Sequence, residues 1–312
     1  MHVADHFLTP EASVVTGVVA AGAVGAAITV GRPRFSGTRI ALAGATAAVI
    51  FGAQMVNFPV LDGTSGHLMG GVLATALVGP RLALMAMTGV LALQSIVFGD
   101  GGITALGTNI LLMGVVPIAV AVGMRSLARA AGADRFVRTT AGAAALVSVP
   151  AGALTLVALY ALGGTGTVEL GAMAVSMTGV HLLIGLGEVL ITVGVLSIVM
   201  LVAPGAAEWD PRPAARTAPL RAGVALTTSA LVFSTALAAV AASTPDGLES
   251  VVASYSLPVG DTLVTGVPLL SDYGSIAGTS ILLVGVIGVL AAGALTAALS
   301  APMLTRRAPI GA

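Results

Sequence analysis

The residues of this 312-residue chain best equipped for chemistry are its four histidines, His2, His6, His67 and His181, and the acidic Glu188. His2 stands beside the α-amine of Met1. His67 closes the string Gly63-Thr64-Ser65-Gly66-His67. Histidine favours borderline first-row ions such as Ni²⁺, Co²⁺, Cu²⁺ and Zn²⁺. Methionine is trimmed only before small residues, so Met1 should remain in front of the large His2. The chain then offers an α-amine, the His2 amide and the His2 imidazole within one short chelate. The amine, with an ordinary pKa of about 7.7–8.0, readily gives up its proton to a metal. Adding His67 makes four nitrogen donors, a set suited to a tetragonal or square-planar ion, which favours Ni²⁺ or Cu²⁺ with Co²⁺ as an alternative.

Each of these residues also has a plainer reading. A histidine at position 2 is commonly part of a frayed terminus, and one at a helix start is commonly a cap. His6 reads as a solvated or interfacial residue. His181 and Glu188 are seven residues apart and so share one helix face. Ionisable groups inside an apolar stretch are costly and mark function, or else they tie neighbouring helices together. Gly63-Thr64-Ser65-Gly66 also matches the G-x-S-G nucleophile string of rhomboid-like intramembrane serine proteases, with His181 as the candidate base. Gly99-Asp100-Gly101-Gly102 and Pro245-Asp246-Gly247 read first as turns, and neither has the ligand spacing of a Ca²⁺ loop.

The elements that must position these residues follow from composition. The chain is 57% hydrophobic and only 8% charged, with a mean hydropathy of +1.05, whereas soluble domains carry about 25% charged residues. A water-soluble enzyme and a disordered chain are both excluded, and an all-α polytopic membrane helix bundle remains. There is no cysteine, hence no disulfide or thiolate site. There is no lysine either, so a P-loop cannot be built here. Zero net charge gives no sign of nucleic-acid binding.

A bilayer core needs roughly 20 apolar residues per helix. Apolar stretches lie at about 12–31, 40–58, 67–79, 82–98, 104–124, 139–163, 172–202, 222–243 and 279–301. The stretch 67–79 is short for a full crossing and could be half of a tight hairpin or a re-entrant piece. With nine spans, all 13 arginines fall on one side: Arg32, Arg34, Arg39, Arg81, Arg125, Arg129, Arg135, Arg138, Arg212, Arg216, Arg221, Arg306 and Arg307. The positive-inside rule makes that side cytoplasmic, with the N-terminus outside and the C-terminus inside. Asp5, Glu11, Asp62, Asp100, Glu169, Asp246, Glu249, Asp261 and Asp272 fall on the other side. Asp5 and Glu11 also argue against a signal peptide, which carries positive charge there. The Pro-rich stretch 203–220 reads as a cytoplasmic linker between a seven-span unit, 1–202, and a two-span unit, 221–312.

Several strings resemble a known family. Met1 to Leu8 resembles the MHIPDGFL opening of the cobalt/nickel substrate-binding components (CbiM/NikM) of energy-coupling factor transporters. Gln54 to Pro59 with Gly63 to Leu68, Phe98 to Gly102 with Leu106 to Asn109, and His181 to Thr192 resemble its further signatures. Pro245-Asp246-Gly247-Leu248-Glu249 is similar to the PDGLE domain, a two-span module found fused to these components or encoded beside them. Ala4 and His6 stand where the family string has proline and glycine. They could change how the segment turns, and His6 could add a donor.

The resemblance implies a seven-span unit that binds Co²⁺ or Ni²⁺ from outside as transported substrate. Its ligands would be the Met1 amine, the His2 amide and imidazole, and His67, with Asn57, Ser65 and His181 as outer supports. ATP hydrolysis would belong to separate ABC-type ATPase subunits coupled through a transmembrane (T) subunit. The expected location is the cell membrane, with the lipid bilayer as the main surrounding and no nucleic acid. Metal capture should weaken as the pH falls through about 6.5, where imidazoles protonate. Two rivals stand beside this reading: the rhomboid-like protease and an auxiliary membrane subunit without a ligand site.

Overall fold

The computed structural model describes residues 1–305 apart from 33, 62, 258–269, 271–272 and 274–279. Arg306, Arg307, Asp62, Asp261 and Asp272 therefore lie outside the described residues. Everything described is helical apart from loops and one small hairpin. Helix α1 (Pro10–Thr29) starts where Thr9 accepts a hydrogen bond from the Ala12 amide, with Pro10 in the first turn. That is a favoured N-terminal arrangement. Only Thr16 and Ala20 of α1 are buried, and Val14, Val15, Val18 and Val19 face outward, as a helix at the lipid boundary would place them. Helix α2 (Gly37–Gln54) is the opposite case, buried along most of its length. Strands β1 (Phe58–Leu61) and β2 (Thr64–Gly66) pair antiparallel.

Helix α3 covers only Gly71–Val78, and His67 to Gly70 are not helical. Eight residues rise about 12 Å, too little to cross a bilayer core of about 30 Å. The apolar stretch 67–79 is thus a short helix preceded by four irregular residues. It still carries the chain to the far end of the bundle, where the Leu77 and Ala76 carbonyls accept the Glu208 and Trp209 amides at 3.0 and 3.1 Å. Both ends of α3 are set by glycines with positive φ, Gly70 at 90° and Gly79 at 81°. Such backbone suits glycine and ends helices. Irregular backbone at this depth is tolerated because protein surrounds it.

Helix α4 (Pro80–Leu93) continues through a π-helical turn at Gln94–Phe98. Helix α5 (Leu106–Asn109) runs through a second π segment, Ile110–Val115, into α6 (Val116–Ala130). Helices α7 (Val137–Gly163) and α8 (Leu170–Val202) pair along their length. Helix α9 (Ala218–Val232) extends through further helical turns to Val240, and α10 (Gly247–Ser254) and α11 (Ile281–Ser300) follow. Seven helical stretches among the described residues are long and apolar enough to cross a membrane. They match all the expected spans except 40–58, which is the shorter, interior α2, and 67–79. The chain is a multi-pass, all-α membrane protein.

The charges sort by end. At one end Arg39 reaches the Ala206 carbonyl at 3.1 Å and Glu208 at 2.5 Å. Arg81 reaches the Val30 carbonyl at 2.5 Å, and Arg125 the Trp209 carbonyl at 3.2 Å. At the other end Met1 and His67 meet Asp246, and His2 meets Asp100.

Helix α9 packs on α2, and α11 on both α2 and α4, through small residues. A Cβ on Gly52 would lie 2.6 Å from the Ala230 carbonyl oxygen, and one on Gly44 2.9 Å from that of Gly293. Around Gly22 there is open space. Gly52→Leu should destabilise the bundle by roughly 1–3 kcal/mol, as overpacking does, whereas Gly22→Leu should be nearly silent. Thermal unfolding in detergent checks this pair, and equal midpoints would contradict the packing.

Candidate metal centre

The first eight residues fold back into the bundle, and a run of specific bonds holds them there. The Asn109 side chain clamps the Val3 backbone, its Oδ1 accepting the Val3 amide at 2.8 Å and its Nδ2 donating to the Val3 carbonyl at 3.1 Å. The Gly102 amide donates to the same carbonyl at 2.8 Å. Asp5 is fully buried and accepts the Thr104 amide and hydroxyl at 2.8 and 2.6 Å. Phe7 packs on the Tyr160 ring with centroids 5.0 Å apart, and the Thr9 amide donates to the Gly163 carbonyl at 2.7 Å. A Cβ on Gly102 would lie 2.3 Å from the Asp5 nitrogen, so glycine is required where the segment passes. His6 sits at φ 60°, a conformation that costs a non-glycine residue about 1 kcal/mol. Its side chain is exposed, which answers the suggestion of an extra donor: His6 turns outward where the family string has glycine.

His67 is presented by the irregular segment between β2 and α3. The Glu188 carboxylate accepts the Met69 amide at 2.6 Å and the Gly70 amide at 2.9 Å, and Gln54 donates to the Met69 carbonyl at 3.0 Å. Glu188 thus serves the free amides ahead of α3, where a helix N-terminus favours negative charge. This is the tethering role open to it from sequence, and it fixes the backbone two residues beyond His67. His67 Nδ1 bonds the Leu68 carbonyl at 3.0 Å. That assigns the proton to Nδ1 and leaves the Nε2 lone pair facing the site.

There the α-amine of Met1 meets His67 Nε2 in direct contact. Asp246 Oδ2 lies 2.9 Å from the amine and 3.4 Å from His67 Nε2. The His2 ring stacks on the His67 ring, with centroids 4.9 Å apart and 19° between planes. Its Nδ1 is 3.2 Å from Asp100 and its Nε2 3.2 Å from the Gln94 amide oxygen. Met1 and His67 are buried. Burial alone would raise the Asp246 carboxyl, but the charged Met1 amine beside it outweighs that and holds the group well below the usual carboxylate range. Burial pulls the His2 imidazole down to about 4, against the opposing pull of Asp100. A ring that stays neutral to that pH is a usable nitrogen donor, so its share of the pH dependence moves well below 6.5.

The structure therefore brings Met1, His2 and His67 together. It does not place Asn57 or Ser65 on them. The Asn57 carbonyl accepts the Ala242 amide at 2.8 Å. Ser65 donates to the Thr244 carbonyl at 2.7 Å, so it holds the loop that carries Asp246. His181 is fully buried with Nδ1 on the Met177 carbonyl at 2.8 Å, and its Nε2 has no hydrogen-bond partner among the described residues. With Ser65 on a carbonyl and His181 Nδ1 on its own helix, the nucleophile–base bond of a serine protease is not formed. Sequence reasoning missed Asp246, Asp100, Gln94 and Asn109 as parts of the site. The two aspartates sit in Gly/Pro-rich strings that look like turns, and only their string similarity gave a signal. Among the described residues no three His, Asp or Glu side chains converge as a metal cluster. The convergence is of the terminal amine with His67 and Asp246.

Comparison with known proteins places the chain. The sequence profile described as "Cobalt uptake substrate-specific transmembrane region" (CbiM) matches residues 2–206. A protein named for metal transport from Haloquadratum walsbyi is 36% identical over 205 residues, 65% of this chain and 92% of that one. The fused nickel transport protein NikMN of Rhodobacter capsulatus is 35% identical over 127 residues, 41% of this chain and 37% of its own length. The crystal structure of a transition metal transporter is similar, with a TM-score of 0.59 and 25% identity over 65% of this chain and 94% of that one.

The His2 environment has a measurable consequence. Free, its imidazole has a pKa of 6.5; docked, about 4. Between those values the undocked segment binds more protons, so docking should weaken as the pH falls from 6.5 to 4 and be unaffected by His2 above that window. Hydrogen exchange at the Val3 amide in metal-free protein, corrected for intrinsic rates, should speed up across the window. Constant protection down to pH 4 would contradict the assignment.

Proposed function

The chain belongs to the CbiM family of cobalt uptake substrate-specific transmembrane regions, and we propose that it is the metal-binding membrane component of an ATP-driven energy-coupling factor uptake transporter. Cobalt or nickel is its transported substrate. The observation that carries the reading is the contact of the Met1 α-amine with His67 Nε2 inside the bundle. Two strong nitrogen donors at one point are what a borderline divalent ion requires. The ligands proposed are the Met1 amine, the His2 amide and imidazole, and His67. Four nitrogens lean towards Ni²⁺, and Co²⁺ suits the same donors. For His2 to join, its ring must give up Asp100 and Gln94, so loading involves a local rearrangement of the terminal segment.

The segment 1–8 acts as a lid whose own terminus is the chelate, which excludes water as it closes. The site end faces outside and the arginine end faces the cytoplasm, a reading supported by the sorting of Arg34, Arg39, Arg81, Arg125 and Arg212. Residues 1–202 form the binding unit, 203–220 a cytoplasmic linker, and 221–312 a two-helix unit of PDGLE type. Energy comes from ABC-type ATPase subunits through a transmembrane (T) partner. The absence of lysine, and with it of a P-loop, supports that division of labour.

The same absence supplies a clean test. With no lysine, the α-amine is the chain's sole primary amine, so an acylating reagent reports on Met1 alone. Ni²⁺ or Co²⁺ should protect Met1 from acylation in the unmodified protein, and His67→Ala should lose that protection. Prior acylation should abolish metal binding. Full binding by the acylated chain would refute the chelate.

A further inference from the structure

Asp246 lies beyond residues 2–206, where the family match ends, yet it reaches into the centre. Its loop is tied over the β1–β2 hairpin. The Ser65 amide donates to the Pro245 carbonyl at 2.8 Å, and the hydroxyls of Thr64 and Ser250 bond at 2.8 Å. The two carboxylate oxygens have separate tasks. Oδ1 accepts the Leu248 and Glu249 amides at 2.8 and 2.9 Å, and Glu249 returns a bond to the Asp246 amide at 2.9 Å. This capping box at the start of α10 fixes the side chain. Oδ2 is thereby aimed at the Met1 amine and His67 Nε2. The other carboxylates nearby, among the described residues, are committed elsewhere. Asp100 faces His2 and accepts the Tyr273 hydroxyl at 2.5 Å, Asp5 serves Thr104, and Glu188 serves Met69 and Gly70.

A buried cation held by nitrogen donors needs an anion close by, because an uncompensated charge in a low dielectric is expensive. We propose that Asp246 is the counter-anion of the metal centre: it holds the Met1 amine in place while the site is empty and balances the charge of the divalent ion when it is filled. The site is then incomplete without the segment that follows the family-defined region. This inference rests on the metal-site reading above and adds a positioning residue to it.

Asp246→Asn isolates the charge, because asparagine is as good an N-cap as aspartate and keeps α10 in place. Calorimetric titration of the full chain with Ni²⁺ should show binding weakened about tenfold or more, as expected on removing one partner of a buried charged cluster. His67→Ala should show none. Wild-type affinity in Asp246→Asn overturns the proposal while leaving the site reading intact. If the wild type and His67→Ala behave alike, the site reading fails and this proposal with it. A second measurement needs no variant. Hydrogen exchange at the Leu248 and Glu249 amides of the unmodified chain should stay as slow with Ni²⁺ as without it, because the carboxylate remains in place. Faster exchange on adding Ni²⁺ would mean that Asp246 is expelled.

Discussion

A charged amino group carried into a helix bundle must find partners there, and much of one end of this molecule is arranged around the one on Met1. Its partners are His67 and Asp246. Breaking such a buried pair from one side costs about 3–5 kcal/mol, so each partner is itself held firmly. His67 depends on the Met69–Gly70 backbone, which Glu188 grips from α8. Asp246 depends on its capping box and on the hairpin beneath it. The amine depends on Val3, held by Asn109, and on Asp5, held by Thr104.

That arrangement explains otherwise costly features. The helix at 67–79 is confined to Gly71–Val78, and Glu188 takes the Met69 and Gly70 amides ahead of it. The glycines at 70 and 79 make the interruption tolerable. Gly101 and Gly102 leave room for His2 and Asp5 to pass. Two π-helical segments, Gln94–Phe98 and Ile110–Val115, flank the loop that receives the terminus, and such bulges are frequent at functional sites. Gln94, the first residue of one of them, bonds His2. A third π segment, Phe233–Leu237, lies at the end of α9, while α7, α8 and α11 remain long and regular.

Most of the helices were legible in the sequence, since hydropathy is a property of local strings, and seven of the nine stretches are long and apolar enough to cross a membrane among the described residues. Met1, His2 and His67 were legible as donors because a terminal amine and imidazoles are unusual in so apolar a chain, and their spacing fits a known family. Asn57 and Ser65 were named as outer supports because a metal-bound histidine normally has its other nitrogen held, but the Asn57 carbonyl and the Ser65 hydroxyl bond the loop at 242–245 instead. Asp246 was the hardest to see. It is 179 residues from His67, and packing of α9 and α11 on α2, with the ties of its loop to β2, brings it back over the site. The hairpin left a signal, Asp62-Gly63 between apolar residues, but the surrounding apolar run masked it. The π turns left none, because one inserted residue barely alters a hydrophobic period.

The central claim is that the terminal amine and His67 together hold a transition metal. The most direct measurement is metal content per chain by elemental mass spectrometry, on protein with an untagged native terminus offered equal Ni²⁺ and Co²⁺. The account predicts a single tightly held ion that is lost in His67→Ala, with the ratio of the two metals giving the preference. Equal metal content in the wild type and His67→Ala would contradict it.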